Sequence, residues 1–166
     1  MNTSELAVAY QRLLTAAQAI NEHTRLNPHQ RADVDWTLCH VVLSDQILTR
    51  TANKVRSRRP GRTGKLVVDN RPAMDPVAIA AMTASTTHQD RIVAVQQHAD
   101  CLIAELCQTP EQAAQEVILL RFHDKTGRHV GDTNMTWAVL IELRADRHIP
   151  AHATRLAGYL KTATSS

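Results

Sequence analysis

Residues 34–56, VDWTLCHVVLSDQILTRTANKVR, carry the hydrophobic pattern that decides the fold. Apolar side chains recur in this segment every three or four residues, which is the spacing of one face of an α-helix. We predict a long helix here, with Asp33 or Asp35 as its N-terminal cap. The predicted buried stripe consists of Trp36, His40, Leu43, Ile47 and Thr51. A histidine therefore lies on the apolar face of this helix.

The same spacing predicts further helices on both sides of this segment. The first spans residues 4–23 and is followed by a break at Asn27-Pro28. A short helix near 76–83 and a longer one near 86–107 come next, and Thr109-Pro110 ends the longer one. A last helix is predicted over 135–162, and its inward stripe is Trp137, Ile141, His148, His152, Leu156 and Tyr159.

Two segments interrupt the helical pattern. Residues 56–75 contain Arg58-Arg59-Pro60-Gly61-Arg62 and Arg71-Pro72, with a short extended piece expected at Val67-Val68. This connection is longer than the ~2–8 residues usual between bundle helices. Residues 117–123, VILLRFH, precede the turn-like sequence DKTG, so residues 117–133 predict a small hairpin; a helix is the alternative for so short an apolar run.

Together these segments predict an all-α fold, a four-helix bundle with a long crossover after helix 2 and a small β-hairpin before helix 4. The length of 166 residues predicts a single domain over 1–166. The sparse, odd set of Cys39, Cys101 and Cys107 is typical of a reducing compartment, and no secretory or membrane-spanning segment is evident. We expect a soluble, cytoplasmic protein with no membrane partner.

His148 and His152 form the clearest candidate site. Residues four apart share a helix face, and two imidazoles on one face make half of a metal site. His40, on a separate apolar stripe, is the best candidate for a third ligand. A single inward histidine is more often a core residue, but three buried imidazoles without partners cost free energy that a shared metal ion removes. Pro150, between the pair, predicts a kink or a break in the last helix.

The segment Trp36–Asp45 around His40, with a late His148-x-x-x-His152 and Trp137 near the start of the last helix, resembles the DinB-like superfamily of metalloenzymes. That superfamily includes thiol-dependent S-transferases and mycothiol-dependent maleylpyruvate isomerase. The resemblance implies a bundle of up-down-down-up topology and a divalent metal, zinc or nickel, held by three histidines. Carried over by position, the ligands are His40, His148 and His152. The isomerases carry an extra C-terminal domain, which this sequence lacks after Tyr159-Leu160, so isomerase activity is not expected.

A metal ion held by three neutral histidines would keep its full charge and lower the pKa of a bound thiol or water. The leading hypothesis is a transferase that activates a small-molecule thiol toward an electrophilic substrate. A metal-dependent hydrolase and a non-catalytic helical-bundle interaction protein, a homodimer, are the alternatives. The charged neighbours of the histidines are Asp45, Glu142, Arg144 and Asp146. For each of them, a side chain exposed to solvent is favoured over one that supports the metal site. Cys39 is expected to be a small buried apolar residue.

A basic cluster accompanies the long connection: Arg56, Arg58, Arg59, Arg62 and Lys65. Five cations in ten residues could contact phosphates. No helix-turn-helix or aromatic stacking pattern accompanies them, so a solvated loop is favoured over nucleic-acid binding. These side chains could also hold the carboxylate of an anionic cosubstrate.

Overall fold

The structure is a computed structural model that describes residues 1–58 and 64–164. It is mostly helical, as predicted, and contains one small sheet. The helices are α1 (Ser4–Ala19), α2 (Pro28–Ser57), α3 (Arg71–Met74), α4 (Pro76–Ser85), α5 (His88–Cys107), α6 (Glu111–Ala114), α7 (Trp137–Leu143) and α8 (Ile149–Thr164), with a π-helical turn over Arg144–His148. The strands are β1 (Leu66–Asp69), β2 (Val117–His123) and β3 (His129–Thr136).

The long helix α2 begins at Pro28 rather than at residue 34. Asn27 is its cap: the Asn27 side chain accepts a hydrogen bond from the Gln30 amide, and the Gln30 side chain accepts one from the Asn27 amide. Proline is favoured at the first helical position because its missing N–H is not needed there. Asn27-Pro28 is therefore a helix start, and the predicted caps Asp33 and Asp35 lie inside the helix.

The buried face of α2 is rotated from the predicted stripe. His40 and Thr51 are buried as predicted, but Trp36, Leu43 and Ile47 are only half-buried. The face that packs into the protein contains Val34, Thr37, Leu38, Val41, Asp45, Leu48, Ala52 and Val55. Two of its members are polar, so a pattern based on hydrophobicity alone could not assign this face.

The predicted hairpin is confirmed and forms part of a three-stranded sheet. β2 pairs antiparallel with β3, with Ile118 opposite Met135. The extended piece at Val67-Val68 is β1, which pairs parallel with β2 and places Val68 opposite Leu120. The turn between β2 and β3 contains Gly127 at φ 76°, a conformation that favours glycine. The long connection therefore contributes a strand that pairs with the hairpin. The sequence did not indicate this pairing.

The range of the last predicted helix, 135–162, contains the end of β3, α7, a π turn and α8 instead of one continuous helix. Met135 and Thr136 belong to β3, and the Thr136 side chain caps α7. A π turn then separates α7 from α8, because the Ile149 amide donates to the Arg144 carbonyl five residues back. Pro150 has no amide to donate to the carbonyl of Asp146, and that carbonyl lies within the π turn. The predicted irregularity at Pro150 is thus a π turn, a feature often found at functional sites.

The long helices pack side by side around an aliphatic core. α1 packs against α5 and α8, and α2 packs against α5 and, more lightly, α8. The largest fully buried side chains include Trp137, Tyr10, Leu13, Leu38 and Leu102. Among the described residues, no helix combines the length and apolar character that a membrane span requires.

Candidate metal centre

The structure brings His40, His148 and His152 together. His40 comes from the middle of α2, His148 from the end of the π turn and His152 from the first turn of α8. Nε2 of His148 lies 3.1 Å from Nε2 of His40 and 3.4 Å from Nε2 of His152. One nitrogen from each ring falls within 4.8 Å of the other two, so the three residues form a group that could hold a metal ion.

All three imidazoles are neutral at neutral pH. Burial, and secondarily the positive charge of Arg144, lowers the pKa of His40 to about 4. Burial and the neighbouring His40 lower the pKa of His152 to about 3. The pKa of His148 is lowered furthest, by burial and then by Arg144. Neutral imidazole is the form that binds metal ions.

His40 is held in the tautomer that a metal ligand needs. Its Nδ1–H donates to the carbonyl of Ala73 in α3 at 2.8 Å, which leaves the Nε2 lone pair free. The Trp36 ring stacks on the imidazole, with centroids 4.7 Å apart and planes 9° apart. The Lys125 ammonium lies 4.0 Å from the centroid of the Trp36 ring. α3 and the hairpin turn therefore both help to fix this ring.

His148 ends a buried chain of polar side chains, which we call the buried Asp–Arg–His chain. Arg144 donates to Asp45 from Nη2, to Tyr10 from Nε at 2.9 Å, and to Nδ1 of His148 from Nη1 at 3.1 Å. Tyr10 also donates to Asp45. The sequence predicts solvated side chains for Asp45 and Arg144, but these side chains are 0% and 4% exposed. The sequence interpretation is wrong because both charges are paired inside the protein.

His152 ends a second chain of the same composition, which we call the surface Asp–Arg–His chain. Nη2 of Arg155 donates to Nδ1 of His152 at 3.0 Å, and Nε of Arg155 lies 3.0 Å from Asp33. Asp33 also accepts from Tyr159 at 2.9 Å and from Lys125 at 3.4 Å. Sequence reasoning missed Arg155, although its position three residues after His152 places it on the same helix face.

The three Nε2 atoms cannot all be satisfied by hydrogen bonds to one another. Arginine only donates, so Nδ1 of His148 and Nδ1 of His152 are acceptors, and each neutral ring carries its proton on Nε2. His148 can donate that proton to the free Nε2 of His40. The Nε2–H of His152 then faces an Nε2 that already carries a proton. One donor of the cluster is left unmatched.

Two of the three nitrogen separations match those around a divalent ion. Zinc–nitrogen bonds of ~2.0–2.1 Å in tetrahedral geometry place neighbouring nitrogens about 3.3 Å apart, close to the 3.1 and 3.4 Å found here. Ligation through Nε2 would require the protons of His148 and His152 on Nδ1. Arg144 and Arg155 would then have to turn their N–H groups aside, whereas His40 needs no change.

The other candidate side chains lie apart from this cluster. Glu142 and Asp146 are exposed, as the solvated interpretation predicts. Cys39 is buried with its sulfur 3.5 Å from Thr83 Oγ1, in agreement with a small apolar role. His123, which the sequence placed beside a turn, is buried against Asp69 and Asn70 on the sheet.

The described part of the basic cluster is bound to other side chains. Arg56 pairs with Glu105 at 3.3 Å, Arg58 pairs with Glu116 at 3.1 Å, and Lys65 donates to Asn134. Arg59 and Arg62 lie outside the described residues. An apolar cavity opens beside the histidines, and none of the three described cations lines it. Their positions therefore do not support a role in holding the carboxylate of a cosubstrate there.

An apolar cavity of about 360 Å³ opens beside the histidines. His40 and His148 form part of its wall, together with side chains from α2, the sheet and α7. Three larger clefts, of about 590, 510 and 460 Å³, lie along α1 and contain none of the three histidines. Of these four cavities among the described residues, the one at the histidines can place a small molecule against the cluster.

No protein-family model, curated protein or solved structure matches this chain. The chemistry of the cluster and of the cavity beside it is therefore the basis on which a function can be inferred.

Proposed function

We propose that this protein is a divalent-metal-dependent enzyme of the DinB-like kind, most specifically a transferase that activates a low-molecular-weight thiol toward an electrophile. The observation that carries the proposal is the convergence of three neutral Nε2 atoms whose hydrogen-bonding needs cannot all be met within the cluster. His40, His148 and His152 would hold zinc or nickel. The bound ion would supply positive charge that lowers the pKa of a thiol.

The packing of the long helices also supports a protein of the DinB-like kind. We infer a four-helix bundle made of α1, α2, α5 and the α7–α8 unit, in the up-down-down-up order of that superfamily. Its support is the packing of α1 against α5 and α8, and of α2 against the same two helices. The long crossover after α2 contains α3, which holds His40 through the Ala73 carbonyl.

The residues around the cluster surround the histidines with paired charges. Arg144 and Arg155 donate to the outer nitrogens of His148 and His152, and Asp45 and Asp33 in turn pair with the two arginines. Both arginines would have to turn these N–H groups aside for His148 and His152 to bind the ion through Nε2. The apolar cavity would exclude water from the reacting groups, which strengthens electrostatic interactions there.

Metal analysis of the protein without a polyhistidine tag tests the proposal. After reconstitution with zinc or nickel and removal of excess ion, we expect about one equivalent bound, and thiol consumption with members of an electrophile panel. His148→Ala should abolish both. His98→Ala is the matched control, because His98 lies on α5 and its ring contacts Gln46 instead of the cluster. Less than half an equivalent of metal, unchanged by His148→Ala, or activity that survives chelation would contradict the proposal.

A further inference from the structure

The apolar cavity beside the histidines has the size of a small-molecule site. It lies between α2, the inner face of the sheet and α7, and Phe122 stands at its wall with its side chain part-exposed. An apolar cavity of ~150 Å³ is enough to bind benzene. The volume here, about 360 Å³, is more than twice that and accommodates a molecule of two fused rings.

In the part of the chain that the structure describes, the cavity wall offers no unpaired charge to a negatively charged ligand. Arg144 is the charged side chain among the described residues that line it, and its Nη2 is paired with the buried carboxylate of Asp45. Its Nε donates to Tyr10, and its Nη1 donates to Ser44 and His148. A ligand carboxylate or phosphate would leave water without gaining an unengaged cation, which is costly in an apolar cavity.

Ser44 supplies one hydrogen-bond donor to this wall. Its Oγ accepts from Nη1 of Arg144 at 3.0 Å, and its own hydroxyl proton has no acceptor among the described side chains and carbonyls. Asn70, the other uncharged polar residue of the wall besides the two neutral histidines, is engaged with His123 through both its amide oxygen and its amide nitrogen. Ser44 lies one helical turn after His40, so a group bonded to it lies next to the histidines.

We infer that the cavity binds an uncharged, mainly apolar organic molecule of one or two rings whose hydrogen-bond acceptor meets the Ser44 hydroxyl. This inference rests on the proposed function, in which that molecule is the electrophile and its acceptor marks the reacting end. Met74 and Met135 in the wall are unbranched and adaptable, so ligands of different outline fit the same cavity. An anionic thiol is not the occupant of this cavity.

A matched pair of probes tests the inference: 2-acetylnaphthalene, which is neutral, and 2-naphthoate, which has nearly the same outline and a negative charge. Binding is measured by titration calorimetry on the protein without added metal. We expect the ketone to bind at least tenfold more tightly than the carboxylate. Ser44→Ala should weaken ketone binding about three- to tenfold, the loss of one hydrogen bond. Equal or tighter binding of the carboxylate would overturn the inference.

Two neighbouring positions on α7 provide the steric test. Leu140→Trp fills the cavity and should abolish ketone binding, whereas Val139→Trp, at an exposed position outside the wall, should leave it unchanged. Circular dichroism checks that each variant is folded; if Leu140→Trp does not fold, the Ser44→Ala result decides. Because no metal is added, loss of ketone binding with intact metal uptake refutes this inference alone. Ketone binding without metal uptake refutes the proposed function alone.

Discussion

The buried and the surface Asp–Arg–His chains have the same composition and different surroundings. In the buried chain, the side chains of Arg144 and Asp45 are 4% and 0% exposed, whereas those of Arg155 and Asp33 are 33% and 15% exposed. In the buried chain the arginine is hydrogen-bonded to the carboxylate. In the surface chain Nε of Arg155 lies 3.0 Å from Asp33 but makes no hydrogen bond among the described residues.

The difference indicates that one histidine is fixed by the core and the other is adjustable. Burial alone would lower the pKa of Arg144, but the charge of Asp45, the Tyr10 hydroxyl and the hydrogen bonds to both residues together more than offset it, so that pKa is raised and the guanidinium stays charged. Removing one partner of a buried pair leaves an unpaired charge inside the protein, whereas partly exposed charges can be solvated. His148 is therefore tied to the stability of the fold, and His152 is tied to a contact that can change.

The largest predicted effect comes from neutralising the two carboxylates in turn. Asp45→Asn should lower the free energy of unfolding by about 3–5 kcal/mol, because Arg144 is left as a buried unpaired charge. Asp33→Asn, the same chemical change in the surface chain, should cost about 1 kcal/mol or less. Urea unfolding at pH 7.5 measures both. Equal losses in the free energy of unfolding would contradict the difference in burial between the two chains.

Acid tests His40, the histidine of the cluster that belongs to neither chain and that is neutral like the two at the chain ends. The pKa of His40 is about 6.5 when unfolded and about 4 when folded. The unfolded chain therefore binds a proton first, and the stability from this group, complete above pH 6.5, is lost as pH falls through 4. The loss is ~3 kcal/mol for His40, most of it between pH 6.5 and 4.5.

The measurement is urea unfolding in the presence of a chelator at pH 7.5 and 4.5. His40→Gln should lose less stability between the two values than the unmodified protein does. His23→Gln, which changes a histidine whose side chain is 87% exposed, should leave the pH profile unaltered. A pH profile that is the same in His40→Gln as in the unmodified protein would contradict the buried, neutral state of His40.

The helices and the three histidines could be predicted from the sequence because they depend on local spacing. His148 and His152 are four residues apart, and His40 lies on an apolar pattern of its own. Their meeting required only that α2 and the last helices pack together. Pro150 predicts a kink or a break in the last helix. A π turn depends on how α7 and α8 are both held, which local spacing does not determine.

The support of the site could not be predicted, because it comes from contacts between distant residues. The Ala73 carbonyl that orients His40 lies in a short helix of the long connection, where no periodic pattern exists. Lys125 reaches Trp36 from the hairpin turn. The sequence predicts a solvated Asp45 because a lone acidic residue usually is solvated, and its partners Tyr10 and Arg144 lie far from it in sequence.

The smallest predicted effect concerns metal affinity, and it separates the two chains most finely. Arg155 donates to Nδ1 of His152, which is the nitrogen that must carry a proton when Nε2 binds a metal ion. Arg155→Gln removes this donor and one positive charge, and a glutamine oxygen can accept the Nδ1 proton. We expect zinc to bind about tenfold more tightly, in line with the effects of partners of ligating histidines. Competition with a chromophoric chelator measures the change.

Arg155→Lys, which retains a charged donor, should bind zinc with an affinity within about threefold of that of the unmodified protein. Weaker binding by Arg155→Gln would mean that Arg155 supports the metal-binding form of His152, and the two chains would then differ in burial but not in their effect on the site.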